Sequence, residues 1–129
     1  MTLIKSISGI RGTIGGNPGE NLTPIDIVES VSAYGYWLKE KFKSESLKVV
    51  IGRDARLSGE MVENLCIGTL QSLGINIINL GLSTTPTVEF AVTKEKAQGG
   101  IILTASHNPK QWNALKLLND KGEFISKKD

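Results

Sequence analysis

The chain has 129 residues, of which 40% are hydrophobic and 22% are charged, with a formal net charge of +2 at pH 7. This length suits one domain with its own core, and the ordinary composition and small charge exclude a disordered chain, a nucleic-acid-binding tail and a polybasic membrane patch. No apolar run approaches membrane-spanning length, and the first ten residues lack a signal-peptide core. We therefore expect a cytoplasmic domain with no nucleic-acid or membrane partner, in which the single Cys66 is a buried small hydrophobe.

The N-terminal segment alternates loosely between apolar and polar residues and then becomes rich in glycine. This pattern predicts a first strand that leads into an exposed loop at residues 8–16. The glycines would let the backbone approach a ligand closely, and Arg11 offers a planar cation to the oxygens of an anion. The alternative is a flexible hairpin with a surface arginine.

Two Thr-Pro pairs predict helix starts, with Thr23 and Thr85 as N-caps and the prolines at the first helical positions. Ser58 is expected to cap the intervening helix, which Gly74 ends. The charged residues before it, Arg53 and Asp54, are interpreted as a local ion pair or as support for the loops of a site. One apolar stripe in the first helix consists of Ile27, Val31, Tyr34 and Leu38.

A run rich in β-branched residues predicts a buried strand at 47–52, and a short apolar run after a break at Gly99-Gly100 predicts another at 101–103. A third strand is predicted at 75–81. A further short strand is expected at 115–118. The alternation of strands and helices predicts an α/β fold, a three-layer α/β/α sandwich around a mostly parallel sheet of about four strands with an antiparallel edge strand. Ligands of such sheets bind outside the carboxyl ends of the strands, where the loops at 8–16, 52–58, 81–86 and 104–113 are expected to meet.

The last of these loops begins Thr-Ala-Ser-His-Asn-Pro and contains the only histidine of the chain. Pro109 disfavours helical geometry at Asn108, so the backbone must turn there. A serine at the mouth of a buried strand beside an imidazole is a common way to present a nucleophile, here Ser106 next to His107. The alternative is that Thr104, Ser106 and Asn108 only satisfy backbone groups in a turn or cap.

This string, followed by Asn113 and Lys116, resembles the active-site loop of the α-D-phosphohexomutases, which include phosphoglucomutase, phosphomannomutase and phosphoglucosamine mutase. Three further segments are similar to the family: Gly-Ile-Arg-Gly at 9–12, Gly-Arg-Asp-x-Arg-x-Ser-Gly at 52–59 and Thr-Pro-Thr at 85–87. Two positions depart from it, since Ser8 replaces a common aspartate and Ala114 a common glycine. The resemblance covers nearly all of the chain but only the first of the family's four domains. Residues 1–129 are thus expected to form domain I, with the other domains of the parent enzyme absent.

The resemblance implies that Ser106, as phosphoserine, exchanges its phosphoryl group with a hexose phosphate. Phosphate then moves between the 1- and 6-positions through a bisphosphorylated sugar. Arg11 and Lys116 would balance the phosphoserine charge, and His107 would either shuttle the proton of the attacking hydroxyl or orient the phosphate. The resemblance also implies Mg²⁺ on a Ser106 phosphate oxygen, held by aspartates outside this chain.

The family's Asp-Gly-Asp-Gly-Asp-Arg metal loop and Gly-Glu-x-Ser-Gly-His sugar-reading segment do not occur in the chain. We therefore expect the isolated chain to be inactive. A rival function is a non-catalytic sugar-phosphate or anion-binding module that uses Arg11 and Lys116. A serine hydrolase is disfavoured, because adjacent residues rarely place an imidazole on the neighbouring hydroxyl and no Gly-x-Ser-x-Gly elbow is present.

Overall fold

A computed structural model describes residues 1–43, 46–105 and 108–129. Six strands and three helices are found in these residues. In chain order they are β1 (Ile4–Ser6), β2 (Gly9–Thr13), α1 (Pro24–Lys41), β3 (Lys48–Arg53), α2 (Gly59–Ser72), β4 (Asn76–Leu82), α3 (Thr85–Lys94), β5 (Gly99–Leu103) and β6 (Trp112–Leu118).

The strands form one mixed sheet in the order β1-β2-β6-β5-β3-β4. β3 is parallel to β4 and β5, whereas β6 is antiparallel to both β5 and β2, and β1 is antiparallel to β2. The predicted α/β class is confirmed, but the described sheet has more strands than the expected four. β6 is antiparallel as predicted but lies inside the sheet, because the N-terminal hairpin pairs along its outer side.

That hairpin corrects the interpretation of the N-terminal segment. β1 and β2 pair closely, with Ile4 opposite Arg11 and Ser6 opposite Gly9, so the hairpin alternative was right and the loop at 8–16 was wrong in its first half. Arg11 therefore lies in a strand. Gly9 has φ +144°, and a Cβ there would overlap the carbonyl oxygen of Leu115, so this glycine serves the close approach of β2 to β6 rather than of a ligand.

Helices cover both faces of the sheet. α1 and α2 pack on one face around a large core that includes Ile51, Ile101 and Leu115. α3 packs on β3 and β5 from the other face, around a smaller core that includes Val50 and Ile102. The three-layer sandwich is thus confirmed. The predicted stripe of α1 is buried, and so is Cys66, whose pKa is raised by burial and by the nearby Glu63.

One of the two predicted proline-associated caps is confirmed and the other is shifted. The Thr23 side chain caps α1 in a capping box with Asp26. In α3 the cap is Thr84, not Thr85, because Thr84 has the extended backbone of an N-cap and its hydroxyl accepts a bond from the Thr87 N–H. The helix therefore begins one residue earlier than predicted.

The Gly99-Gly100 pair is not a break, since both residues lie within β5. The buried Tyr34 hydroxyl accepts from the Gly100 N–H at 2.9 Å and donates to the Leu118 carbonyl at 2.6 Å. A Cβ on Gly99 would overlap this hydroxyl, and one on Gly100 would press against Val92. The two glycines make room for side chains from both helical layers.

We predict that Gly99→Ala lowers the free energy of unfolding by about 1–3 kcal/mol, because the added methyl group overpacks the Tyr34 hydroxyl. Urea unfolding of the chain measures this loss. In the double variant with Tyr34→Phe the hydroxyl is gone, so the loss should be clearly smaller than the sum of the two single losses. Strict additivity would contradict this account of the glycine.

Candidate active site

The loops that follow β3 and β5 meet at the carboxyl edge of the sheet. The Asp54 N–H donates to the Leu103 carbonyl at 3.0 Å, which extends the pairing of the two parallel strands by one residue. The Asp54 carboxylate accepts a bond from the Thr104 hydroxyl at 2.6 Å. The expected meeting of these two loops is therefore confirmed, and Thr104 begins the second loop in a fixed position.

Arg56 connects the first loop to the far part of the second. Its Nε donates to Asp54 at 3.2 Å, and its guanidinium also donates to main-chain carbonyls of Asn108 at 3.0 Å, Pro109 at 2.8 Å and Trp112 at 3.2 Å. The Arg56 side chain is 11% exposed. Since carbonyl oxygens only accept, a planar group with several N–H donors suits this arrangement.

The ion pairing of this segment differs from the predicted one. Arg53 and Asp54 do not pair with each other. Instead Arg53 donates from Nε to Glu63 in α2 at 2.8 Å, whereas Asp54 pairs with Arg56. The support for the active-site loops that we inferred from the Gly-Arg-Asp-x-Arg string thus comes from Asp54 and Arg56. Sequence reasoning had no means to identify the carbonyls that Arg56 contacts.

Ser58 does not cap α2 as predicted. It has helical dihedral angles of φ −76° and ψ −9°, and its side chain makes no capping hydrogen bond. Its hydroxyl instead accepts a bond from the Asn113 side-chain amide at 2.9 Å. Because Asn113 is fully buried, this contact ties the start of α2 to the start of β6.

Ala114, the expected departure from the family pattern, lies in the extended strand β6. It does not have a positive φ, since Lys96 is the sole non-glycine residue with positive φ in the described ranges.

The two predicted cations lie on one face of the sheet. Arg11 is paired with Ala114, and Lys116 is paired with Gly9, on the adjacent strands β2 and β6. Cross-strand partners share a face, and so do residues two apart in a strand, which places Arg11 and Lys116 together on the face that carries α3. Arg11 is exposed and Lys116 is half-buried, and both line a cavity of about 320 Å³.

The other two predicted site residues, Ser106 and His107, lie outside the described residues. Their neighbours in sequence are described on both sides. Thr104 and Ala105 are buried, and Asn108 is half-buried, with its N–H donating to the Ala105 carbonyl at 3.0 Å.

Metal-binding capacity is limited in the parts of the chain that the structure describes. No group of three or more His, Cys, Asp or Glu side chains there is arranged to hold a metal ion. The Asp54 carboxylate at the site is engaged by Arg56 and Thr104. A Mg²⁺ cage therefore does not fit these residues by themselves.

None of the described helices is both long and apolar enough to cross a bilayer.

Residues 3–129 match the family model for the α/β/α domain I of phosphoglucomutase/phosphomannomutase. The chain belongs to this family. The matched model describes one domain of the phosphoglucomutases and phosphomannomutases.

Named relatives agree with the assignment. The chain is 39% identical over 119 residues to a phosphoglucomutase/phosphomannomutase of Thermococcus kodakarensis, covering 92% of this chain and 25% of the relative. It is 36% identical over 126 residues to a phosphoglucosamine mutase of Helicobacter acinonychis, covering 98% and 27%. A solved structure of a candidate phosphomannomutase from Thermus thermophilus superposes with a TM-score of 0.80 at 30% identity, covering 99% and 28%. The chain thus spans about a quarter of the length of these proteins.

The Ser58–Asn113 contact leads to a stability prediction. Ser58→Ala leaves the buried Asn113 amide without this acceptor, which should lower the free energy of unfolding by about 1–3 kcal/mol. Asn113→Ala removes the donor, so the double variant should lose less than the sum of the singles. Chemical unfolding of the four proteins measures the coupling. Additive losses would show that Ser58 acts independently of Asn113.

Proposed function

We propose that this chain is the phosphoryl-carrying first domain of a phosphohexomutase and that Ser106 is the carrier. In this proposal the parent enzyme moves phosphate between the 1- and 6-positions of a hexose phosphate through a bisphosphorylated sugar. The observation that carries the proposal is that Arg11 and Lys116 line one cavity, on the adjacent strands β2 and β6, of which β6 directly follows the loop that holds the Ser106 motif. Membership of the family supports it independently.

In the proposed step the phosphoryl group leaves the Ser106 oxygen and bonds to a hydroxyl oxygen of the sugar phosphate. The P–O bond to serine breaks as the new P–O bond forms, and the sugar hydroxyl loses its proton. The resulting bisphosphorylated sugar returns its other phosphate to Ser106, which restores the starting enzyme. His107 is proposed to take the hydroxyl proton or to orient the phosphate by a hydrogen bond.

Electrostatics supports the proposed roles of the two cations. A phosphoserine carries about −1.5 to −2 charges at neutral pH. Arg11 and Lys116 together bring two positive charges to one face of the sheet, and Arg11 has the planar fork that matches phosphate oxygens. The register of the two paired strands fixes the positions of their backbones, so that both side chains start from the same part of the sheet.

The Mg²⁺ that we propose for the reaction would supply further charge neutralisation when bound. Since the described residues offer no carboxylate cluster, its protein ligands are proposed to lie in other domains of the parent enzyme. The sugar-binding groups are proposed to lie there too. The isolated chain is accordingly proposed to lack mutase activity. Its cytoplasmic location stays a prediction.

A non-catalytic sugar-phosphate or anion-binding module is the competing function. It uses the same cavity with Arg11 and Lys116 but needs no covalent intermediate. Intact mass separates the two functions, because only a phosphoryl carrier gains an adduct of about 80 Da on serine.

We predict that Ser106→Ala lowers the activity of the full-length enzyme by orders of magnitude, because the covalent route loses its acceptor. In the wild-type full-length enzyme, phosphopeptide mapping after incubation with a hexose 1,6-bisphosphate should find the phosphoryl label on Ser106. Ser58→Ala is the matched control, since it removes a serine hydroxyl from the same region and should keep the label. Label on another residue with Ser106 unmodified would refute the proposal.

Arg11→Ala in the full-length enzyme should slow phosphoryl transfer by more than about tenfold, because a charge-assisted hydrogen bond is worth about 1.5–3 kcal/mol. Single-turnover transfer from the phosphoenzyme measures the effect. Lys94→Ala is the charge-matched control, since it removes a positive charge from the exposed end of α3 and should leave the rate unchanged. A normal rate in Arg11→Ala would show that Arg11 has no role in phosphoryl transfer.

A further inference from the structure

We propose that Arg56 is a positioning residue for the loop that carries Ser106, and that Asp54 holds Arg56 and the start of this loop in register. The catalytic consequence of this inference rests on the proposed function. The positioning itself rests on the contacts of Asp54 and Arg56 alone.

The contacts of this ion pair bracket Ser106 in sequence. Asp54 binds the hydroxyl of Thr104, two residues before Ser106, and Arg56 binds the carbonyl of Asn108, two residues after it. Thr104 and Asn108 are thus both bonded to one Asp–Arg pair. Such bonds restrict the conformational freedom that these two residues would otherwise have at the surface.

The loop needs such a device because regular pairing ends on either side of it. β5 ends at Leu103 and β6 begins at Trp112, so the carbonyls of Asn108 and Pro109 have no strand partner. Pro109 has no N–H to contribute to local pairing either. The Arg56 guanidinium supplies donors to these carbonyls and to that of Trp112, and it does so with little exposure to solvent, where charge-assisted bonds are strong.

A lysine cannot reproduce these contacts. Its ammonium is a single point with three rotatable donors, whereas the carbonyls and the Asp54 carboxylate lie around a planar fork. Arg56→Lys therefore keeps the charge and loses the geometry. Phosphoryl transfer depends on alignment of the reacting oxygens, and a misplacement of about 1 Å can cost about a hundredfold in rate.

The chain offers a matched control in Arg53. This arginine also donates from Nε to a carboxylate, that of Glu63, but the pair connects β3 to α2 and does not reach the loop. Arg53→Lys should lower the free energy of unfolding to a similar degree without loosening residues 104–112.

The first experiment follows amide hydrogen exchange by NMR in the 129-residue chain. The reporters are the N–H of Asn108, bonded to Ala105, and the N–H of Trp112, bonded to Pro109. Arg56→Lys should speed exchange at both by about tenfold or more relative to amides of β3, as expected for local opening. Arg53→Lys should not. Unchanged exchange in Arg56→Lys would overturn the inference.

The second experiment measures kinetics in the full-length enzyme. Arg56→Lys should lower kcat by about tenfold or more with KM for the hexose phosphate within about twofold, because positioning acts on the transfer step rather than on sugar binding. Arg53→Lys should keep kcat near the wild-type value. Equal losses of stability in both variants with equal kcat would show a purely structural Arg56 and refute the inference.

The two experiments separate this inference from the proposed function. If wild-type enzyme carries no phosphoryl group on Ser106, the proposed function fails, and the exchange measurement still decides the positioning. If Arg56→Lys does not fold, Thr104→Val detaches the start of the loop from Asp54 with little change in volume. Thr104→Val should speed exchange at the backbone N–H of position 104, which in the wild-type chain donates to the Ala114 carbonyl. Unchanged exchange there would again overturn the inference.

Discussion

The parallel pairing of β3 with β5 is the constraint on which the site depends. Because both strands end at the same edge, the residues that follow them, Asp54 and Thr104, come within hydrogen-bond distance. The β3–α2 loop then supplies Arg56, whose guanidinium reaches the main chain of the β5–β6 loop. A loop that lacks regular backbone partners is in this way held by side chains from a neighbouring loop. The contacts between the two loops therefore depend on the pairing of β3 with β5.

A second pairing, of β2 with β6, brings the cations together. Arg11 is 105 positions before Lys116 in the chain, yet the antiparallel register places them on one sheet face above one cavity. Gly9 permits this register, because any larger residue would meet the Leu115 carbonyl. The β2–β6 pairing therefore accounts for the need for glycine at position 9, for the shared face of the two cations and for the cavity that they line.

The errors of sequence interpretation have physical causes that particular residues illustrate. Gly99 and Gly100 look like a break because glycine is common in turns, but here they accommodate Tyr34 and Val92 from opposite layers. Ser58 looks like a cap because serine caps many helices, but its hydroxyl accepts a hydrogen bond from the side-chain amide of Asn113 in β6. In each case a side chain remote in sequence decides the role of the residue. Local patterns contain no information about such partners.

The sequence by itself determined the family, the presence of the three helices, the strands β3 to β6 and the Thr23 cap. These depend on periodicity, capping chemistry and short motifs, all of which act within a few turns or residues of the chain. Only the tertiary structure decided that the N-terminal segment is a hairpin, that Arg56 binds the carbonyls of the β5–β6 loop, and that Arg11 lies beside Lys116. Those features arise when strands remote in sequence pair in one register, which depends on side chains and turns from several elements at once.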